Sequence, residues 1–177
     1  LLSWSSGKDS AWTLHVLRQD PDVEIVGLLT TVNVTHERVA MHSTRLAILE
    51  AQARAVALPL HVIPLPWPCP NDVYERAMRS AIEDGLAAGA THVAFGDLFL
   101  EDVRAYRETQ LAPTGLRPLF PLWGHDTTAL AEEMVEAGLR AVLTCVDPSQ
   151  LDPRFVGRAF DRALLAELPA GVDPCGE

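Results

Sequence analysis

Six consecutive residues, Ser5-Ser6-Gly7-Lys8-Asp9-Ser10, have the types needed to hold a phosphate. The small side chains of Ser5, Ser6 and Gly7 let an anion approach the main chain, and Gly7 is expected to take the positive φ that such a turn needs. Where a loop of this kind opens a helix, several backbone N–H groups converge and the helix dipole favours negative charge. Lys8 adds a compact ammonium and Ser10 a hydroxyl donor. Lys8 is also the only lysine; every other one of the 14 basic residues is arginine. Arginine is a rigid planar fork, whereas lysine is a flexible point charge that a tight phosphate loop accommodates. The Walker pattern is absent, because Asp9 follows Lys8 and no glycine stands five residues before Gly7, which argues against a P-loop kinase or GTPase. No GxGxxG supports a dinucleotide enzyme either.

A second group of residues lies later in the chain. Gly96-Asp97 closes an apolar stretch, and Asp97 is a candidate Mg²⁺ ligand, since that ion is held by one or two carboxylates together with phosphate oxygens. Glu101, Asp102, Arg104, Arg107 and Glu108 follow. Glu101 with Arg104, and Arg104 with Glu108, stand at helical ion-pair spacing, which suits a solvated charged face as well as contact with a phosphate or substrate. Of this group Glu101, Arg104 and Arg107 are the candidates for a catalytic role. Thr30 and Thr31 read on their own as strand formers. His36 and His42 are equally compatible with exposed loops and with ligand contact, and no pair of histidines has metal spacing. Phe120, Leu122 and Trp123 read as core. Asp173 and Glu177 are polar and terminal.

Strands and helices must alternate to position these groups. Leu1 to Trp4 reads as the end of an apolar strand that appears clipped at its start, and Asp9 or Ser10 can cap a helix carrying Trp12, Leu14, Val16 and Leu17 inward. Glu24 to Val32 is a nearly continuous apolar run of the kind found in parallel strands buried on both faces. A helix capped by Ser43 follows, with Leu46, Leu49, Ala53 and Val56 on one face. Leu60 to Leu65 is a short strand before the prolines at 64, 66, 68 and 70. Asn71 then caps a helix to about Ala88 with Tyr74, Ala77, Met78 and Ala81 inward and Gly89 as its stop. His92 to Phe95 is a strand, Glu101 to Leu111 a helix, Arg117 to Phe120 a strand, Thr127 to Ala137 a helix and Arg140 to Val146 a strand. Asp152-Pro153 opens a last helix toward Leu165. This alternation predicts an α/β fold, a Rossmann-like parallel sheet with helices on both faces. Ligands in such sheets sit beyond the carboxyl ends of the strands, the edge from which the loops after Trp4, Val32 and Phe95 emerge.

The 177 residues suit one domain over 1–177, a size at which roughly 70% of the unfolded surface is buried. Hydrophobic residues at 48% and charged residues at 21% are those of a globular chain. No apolar run is long enough to span a bilayer, so a cytoplasmic protein is expected. Cys69, Cys145 and Cys175 are too few and too scattered for a disulfide framework or a zinc site. The net charge of −10 works against binding long nucleic acid by counterion release. Homo-oligomers are compatible with all of this.

The loop Ser5 to Ser10 resembles the SGGKDS loop of the PP-loop ATP pyrophosphatases, with Ser6 at the commoner first glycine. Gly96-Asp97-Leu98-Phe99-Leu100-Glu101 through Glu108, Phe120-Pro121-Leu122-Trp123 and Asp173-Pro174-Cys175-Gly176-Glu177 resemble the branch related to diphthine-ammonia ligase. The resemblance implies the adenine nucleotide alpha hydrolase type of fold, with ATP and Mg²⁺ as cofactors. It implies release of AMP and pyrophosphate after a substrate oxygen is adenylated, and amide formation between an acceptor (a small molecule or a modified protein side chain) and ammonia or an amine. It places Ser5, Ser6, Gly7, Lys8, Asp9, Ser10 and Gly96 around the nucleotide, with the backbone at Thr30 and Thr31 holding the adenine. It makes Lys8, Asp97, Glu101, Arg104 and Arg107 the catalytic set. The ligases' Ser-x-Tyr-Gln-Arg segment is replaced here by Phe99 to Tyr106, and the family pattern continues past Glu177 with an acidic, His-containing segment, so a C-terminal piece is expected to be missing. Two other readings share the loop. A non-catalytic ATP or AMP sensor needs the same binding residues, and a tRNA-modifying sulfur transferase would want paired thiols and a basic face.

Overall fold

The computed structural model describes residues 1–40 and 42–176. They form two compact units: Leu1–Asp97 with Glu101–Pro121, and Leu98–Leu100 with the chain from Leu122 onward.

The first unit is built on a six-stranded sheet. Its strands are β1 (Leu2–Ser3), β2 (Leu28–Asn33), β3 (Arg38–Val39), β4 (Leu60–Leu65), β5 (His92–Ala94) and β6 (Arg117–Leu119). One edge of β2 pairs with β4 along its whole length, from Leu28 opposite Leu60 to Asn33 opposite Leu65. Its other edge pairs first with β1 at Leu28 and Leu29 and then with antiparallel β3 at Val32 and Asn33. The parallel order is therefore β4-β2-β1-β5-β6, with β3 the one antiparallel addition. Parallel neighbours need crossovers. Helices α1 (Lys8–Leu17), α2 (Leu46–Ala55), α3 (Asn71–Ala87) and α4 (Glu101–Leu111) supply them.

Side chains alternate across a strand, which assigns the helices to faces. Leu28 and Val32 pack with Leu14 and Leu17 of α1 and with Leu49 and Ala53 of α2. Their neighbour Leu29, with Ile63 and Leu65, packs against Tyr74, Ala77, Met78 and Ala81 of α3. Val93 and Phe95 bury on the same side with Ile82 of α3 and Leu111 of α4. Two helices thus cover each face, as the sequence predicts. The chain winds from β1 outward through β2 to β4, then returns to the other side of β1 for β5 and β6. The switch point lies between the carboxyl ends of β1 and β5.

Several boundaries differ from those read in the sequence. Pairing of β2 with β1 and β4 starts only at Leu28, so Glu24–Gly27 reach the sheet as irregular chain. The N-cap of α1 is Gly7, without a side-chain cap, so Asp9 and Ser10 lie inside the first turn. Helix α2 starts at Leu46 after Arg45, because Ser43 has φ 56° in the turn that follows β3. Asn71 is the first residue of α3, behind Pro70 as N-cap.

In the second unit α5 (Thr127–Glu136) is capped by Asp126, whose carboxylate accepts from the Ala129 N–H, and Gly138 ends it with φ 83°. The strand expected at Arg140–Val146 is not a sheet strand. It forms a short antiparallel bridge, Val142 with Ala159, with the Phe160, Leu143 and Gly157 N–H groups donating to the Ala141, Arg158 and Leu143 carbonyls, and the pairing stops where the opposing chain turns at Gly157, φ 87°. The same glycine divides the helix expected from Asp152: Asp152 caps one 3-10 turn, Pro153–Phe155, and Asp161 caps the separate α6 (Arg162–Glu167). Leu98, Leu122, Leu130, Met134, Phe155 and Leu164 are fully buried in this unit. Leu122 is core as read, whereas Phe120 and Trp123 are half-buried. No described helix is long and apolar enough to cross a membrane.

Candidate functional site

The loop from Ser5 to Ser10 does connect a strand end to a helix N-terminus, and its shape is held by a closed ring of hydrogen bonds. The Gly7 N–H donates to Ser5 Oγ at 3.2 Å, the Ser5 and Ser10 hydroxyls are 3.2 Å apart, and Ser10 Oγ donates to the Gly7 carbonyl at 3.0 Å. Ser10 is consequently buried and braces the loop. The left-handed residue is Ser6, φ 69°, while Gly7 is extended at φ −85°, a correction to the expectation that Gly7 takes the positive φ. The turn needs the glycine-like conformation one residue earlier. Gln52 of α2, which sequence reasoning missed, locks Ser6: its amide donates to the Ser6 carbonyl at 3.2 Å while its oxygen accepts from the Trp4 indole at 3.0 Å. A polar residue on the buried side of an amphipathic helix was the only signal for it. The first-turn N–H groups of α1 at Lys8, Asp9 and Ser10 have no intrahelical acceptor by geometry. Lys8 Nζ donates to both Asp9 oxygens, at 2.7 and 2.8 Å.

Gly96 packs directly on this helix start. A Cβ there would stand 2.9 Å from the Asp9 carbonyl carbon and 3.1 Å from the Ser10 nitrogen, so only glycine lets the end of β5 approach α1 this closely. Asp97 follows, 12% exposed, and is gripped by Arg107 through two hydrogen bonds, Nε to one oxygen at 2.5 Å and Nη2 to the other at 3.1 Å. The Arg107 guanidinium also lies over the Phe95 ring, 4.4 Å from its centre. Arg104 donates to Glu108 at 2.8 Å and rests over Phe120, 4.9 Å from its centre; the i,i+4 pair is thus made. Glu101 is exposed at the first residue of α4.

A cavity of about 230 Å³ opens at this carboxyl edge of the sheet, lined by Ser3 and Ser5 from β1 and its loop, Thr30 and Thr31 from β2, His42, Tyr74 and Arg107 among others. The structure therefore brings together Ser5, Thr30, Thr31 and Arg107 from the sequence-selected set with His42, one of the two histidines left open to ligand contact, and adds Tyr74, read only as an inward residue of α3. Ser6, Gly7, Lys8, Asp9, Ser10, Gly96, Asp97, Glu101 and Arg104 are outside this lining, so of the loop only Ser5 reaches the cavity wall. Among the described residues no Asp or Glu lines the cavity, although the chain carries a net charge of −10. Thr30 is buried, and the Thr31 carbonyl accepts from the Ala40 N–H at 2.9 Å. His42 is exposed at the cavity rim, yet partial desolvation depresses its pKa, the Arg107 charge depresses it further, and Asp9 opposes both more weakly. The imidazole is therefore neutral at pH 7. Burial and the neighbouring Tyr106 hydroxyl raise the pKa of Tyr74, which keeps its phenol protonated and able to donate. His36 stands edge-on to Trp67 rather than in this cavity.

Arg107 and a protonated phenol in the cavity wall, with no carboxylate among its described residues, suit an anion, and the helix start with Lys8 that follows Ser5 offers further donors outside the lining. Its metal-binding capacity is more limited. Asp9 and Asp97 are each paired with a cation, and no group of three His, Cys, Asp or Glu residues able to hold a metal occurs among the described residues. These carboxylates suit a Mg²⁺ that arrives on phosphate oxygens rather than one caged by protein. In the second unit Asp173 accepts from the Cys175 N–H at 3.3 Å and the buried Cys175 thiol donates to the Thr127 carbonyl at 3.4 Å, so Asp173 caps its own turn. Glu177 lies outside the described residues. In comparison with known proteins, no family model matches this sequence and no curated protein matches it significantly.

Proposed function

We propose that the chain binds ATP at the carboxyl edge of β1, β2 and β5 and uses it to adenylate an acceptor carboxylate for amide formation. The observation that carries this reading is a cavity at the switch point with no carboxylate among its described lining residues, in a protein of net charge −10, with Ser5 of the loop that opens α1 in its wall. An acidic chain that keeps one concave surface clear of carboxylates favours an anion there. The resemblance of Ser5–Ser10 to the PP-loop narrows that anion to ATP, with Ser5 to Ser10, Thr30, Thr31 and Gly96 around it and Lys8, Asp97, Arg104 and Arg107 near the reacting groups.

The chemistry needs no protein nucleophile. An acceptor carboxylate oxygen attacks the α phosphorus, the bond from that phosphorus to the α–β bridging oxygen breaks, and pyrophosphate leaves with the electron pair. Ammonia or an amine then attacks the acyl carbon, loses a proton, and expels AMP. The protein holds both reactants in line and stabilises charge on the departing pyrophosphate, work for the α1 N–H groups, Lys8 and Arg107. Mg²⁺, when bound by Asp97 and the phosphates, supplies further neutralisation of that charge.

A sensor that binds without turnover is the second reading. The pairing of Lys8 with Asp9 and of Arg107 with Asp97 favours it, because both cations are satisfied before any nucleotide enters. Pyrophosphate release from ATP and Mg²⁺, measured with ammonia across a panel of carboxylates, separates the two. Acceptor-dependent release is expected; tight ATP binding with no release under any condition supports the sensor instead.

A further inference from the structure

A second and larger cavity, about 650 Å³, lies beyond the first at the ends of β2, β3 and β4. The two share Thr31, Val39, Ala40 and Tyr74 in their walls, and the larger one has the size usual for a small-molecule site. Its far side is formed by Leu65, Pro66 and Trp67. The Trp67 indole is 68% exposed, so it packs little of the core and presents a ring face or edge to whatever enters. Arg38 and His36 complete the polar part of the wall, and again no Asp or Glu is present among the described residues. One Arg38 nitrogen donates to the Ser43 carbonyl at 2.7 Å, which fixes the side chain and leaves the rest of its donor fork for an anion.

Three main-chain donors at this edge are taken within the fold. The Ala40 N–H donates to the Thr31 carbonyl at 2.9 Å, the Val34 N–H to the Leu65 carbonyl at 3.0 Å and the Val39 N–H to the Thr44 carbonyl at 2.8 Å. What remains is an apolar, aromatic wall with one fixed cation. We infer that this cavity binds a small planar aromatic acid, its ring against Trp67 and its carboxylate on Arg38, and that this ligand is the acceptor delivered to the neighbouring nucleotide cavity. The acceptor role rests on the function proposed above; the binding of the acid does not.

The test uses 2-naphthoate as probe, titrated into the full chain without nucleotide and followed by calorimetry and indole fluorescence. Saturable binding is expected, weakened at least tenfold in Trp67→Ala and in Arg38→Gln, with 2-naphthalenemethanol, which lacks the charge, binding at least tenfold more weakly than the acid. Circular dichroism and unchanged ATP affinity in Trp67→Ala verify that the variant is folded. Absence of binding, equal affinity in both variants, or displacement of the probe by adenosine overturns the assignment. If the probe binds as expected but the protein binds no ATP in a separate titration, the acid site stands and the acceptor role is refuted together with the ligase reading.

Discussion

Removing the Lys8 ammonium does more than delete one contact with a phosphate, because Lys8 holds both oxygens of Asp9. In Lys8→Ala the Asp9 carboxylate remains in the first turn of α1, where it opposes an incoming anion. A charge-assisted hydrogen bond contributes about 1.5–3 kcal/mol net. An uncompensated carboxylate some 6–8 Å from a phosphate adds ~1–2 kcal/mol of repulsion at an effective dielectric near 20, after screening. Together they predict a loss of ~3–4 kcal/mol, roughly 100- to 1,000-fold in ATP affinity. The same substitution made in Asp9→Asn should cost only the direct contact, so a double-mutant cycle should show ~1–2 kcal/mol of coupling. Lys8→Arg should not restore affinity, since the fork is too large for the loop. Calorimetric titration with ATP in the presence of a chelator keeps any Mg²⁺ held by Asp9 out of the comparison. Additivity of the two substitutions would refute the pairing argument, and unchanged affinity in Lys8→Ala would remove the phosphate role altogether.

Gly96→Ala should displace the first turn of α1, since its Cβ would stand 2.9 Å from Asp9 main chain; a cost of ~1–3 kcal/mol and a matching loss of ATP affinity are expected from thermal denaturation and calorimetry. Ser6→Gly should do the opposite, relieving the positive φ of 69° and raising stability by up to about 1 kcal/mol, read as a higher melting temperature with Gln52 still bonded to the loop carbonyl. His42, whose pKa is depressed in the fold by partial desolvation and by Arg107 against the weaker pull of Asp9, contributes stability that is present above the ordinary histidine pKa of about 6.5 and lost as pH falls from there toward the lowered value. His42→Gln should therefore flatten the decline of unfolding free energy between pH 7 and 5, and an unchanged slope would show that folding does not lower the pKa of the imidazole.

Elements with their own periodicity were legible in the sequence. Leu60–Leu65 and Glu101–Leu111 occur at the boundaries read for them, and the inward face of α3 is the one its spacing indicated. What sequence could not supply was set by partners remote in the chain. The start of β2 follows from where β1 and β4 begin to pair, and the failed strand at Arg140–Val146 follows from a turn at Gly157, not from its own apolar run. The site divides in the same way. Local residue types identified the loop and the Asp97–Arg107 region, but the residue that carries the positive φ, the brace from Gln52 and the arrival of His42 and Tyr74 at the cavity depend on how β2, α2 and α3 are packed against β1.

The two ion pairs bear on how the proposed site could be electrostatically quiet and still receive a polyphosphate. Lys8 with Asp9 and Arg107 with Asp97 are each largely shielded, with Lys8 13% and Asp97 12% exposed, so breaking either to leave a bare charge would be costly. In the proposed site a ligand that brings both anionic oxygens and a divalent cation would lessen that penalty: phosphates would take Lys8 and Arg107, and the metal would take the carboxylate that Asp97 releases. A monoanion can offer only half of the exchange. In the proposed reaction this favours the nucleotide that still carries its β and γ phosphates, and it gives Asp97 two successive partners, the guanidinium before binding and the metal after it. The close approach of Gly96 to the Asp9 main chain sets these two pairs on adjoining elements, which is why a residue without a side chain belongs to the site as much as those that carry charge.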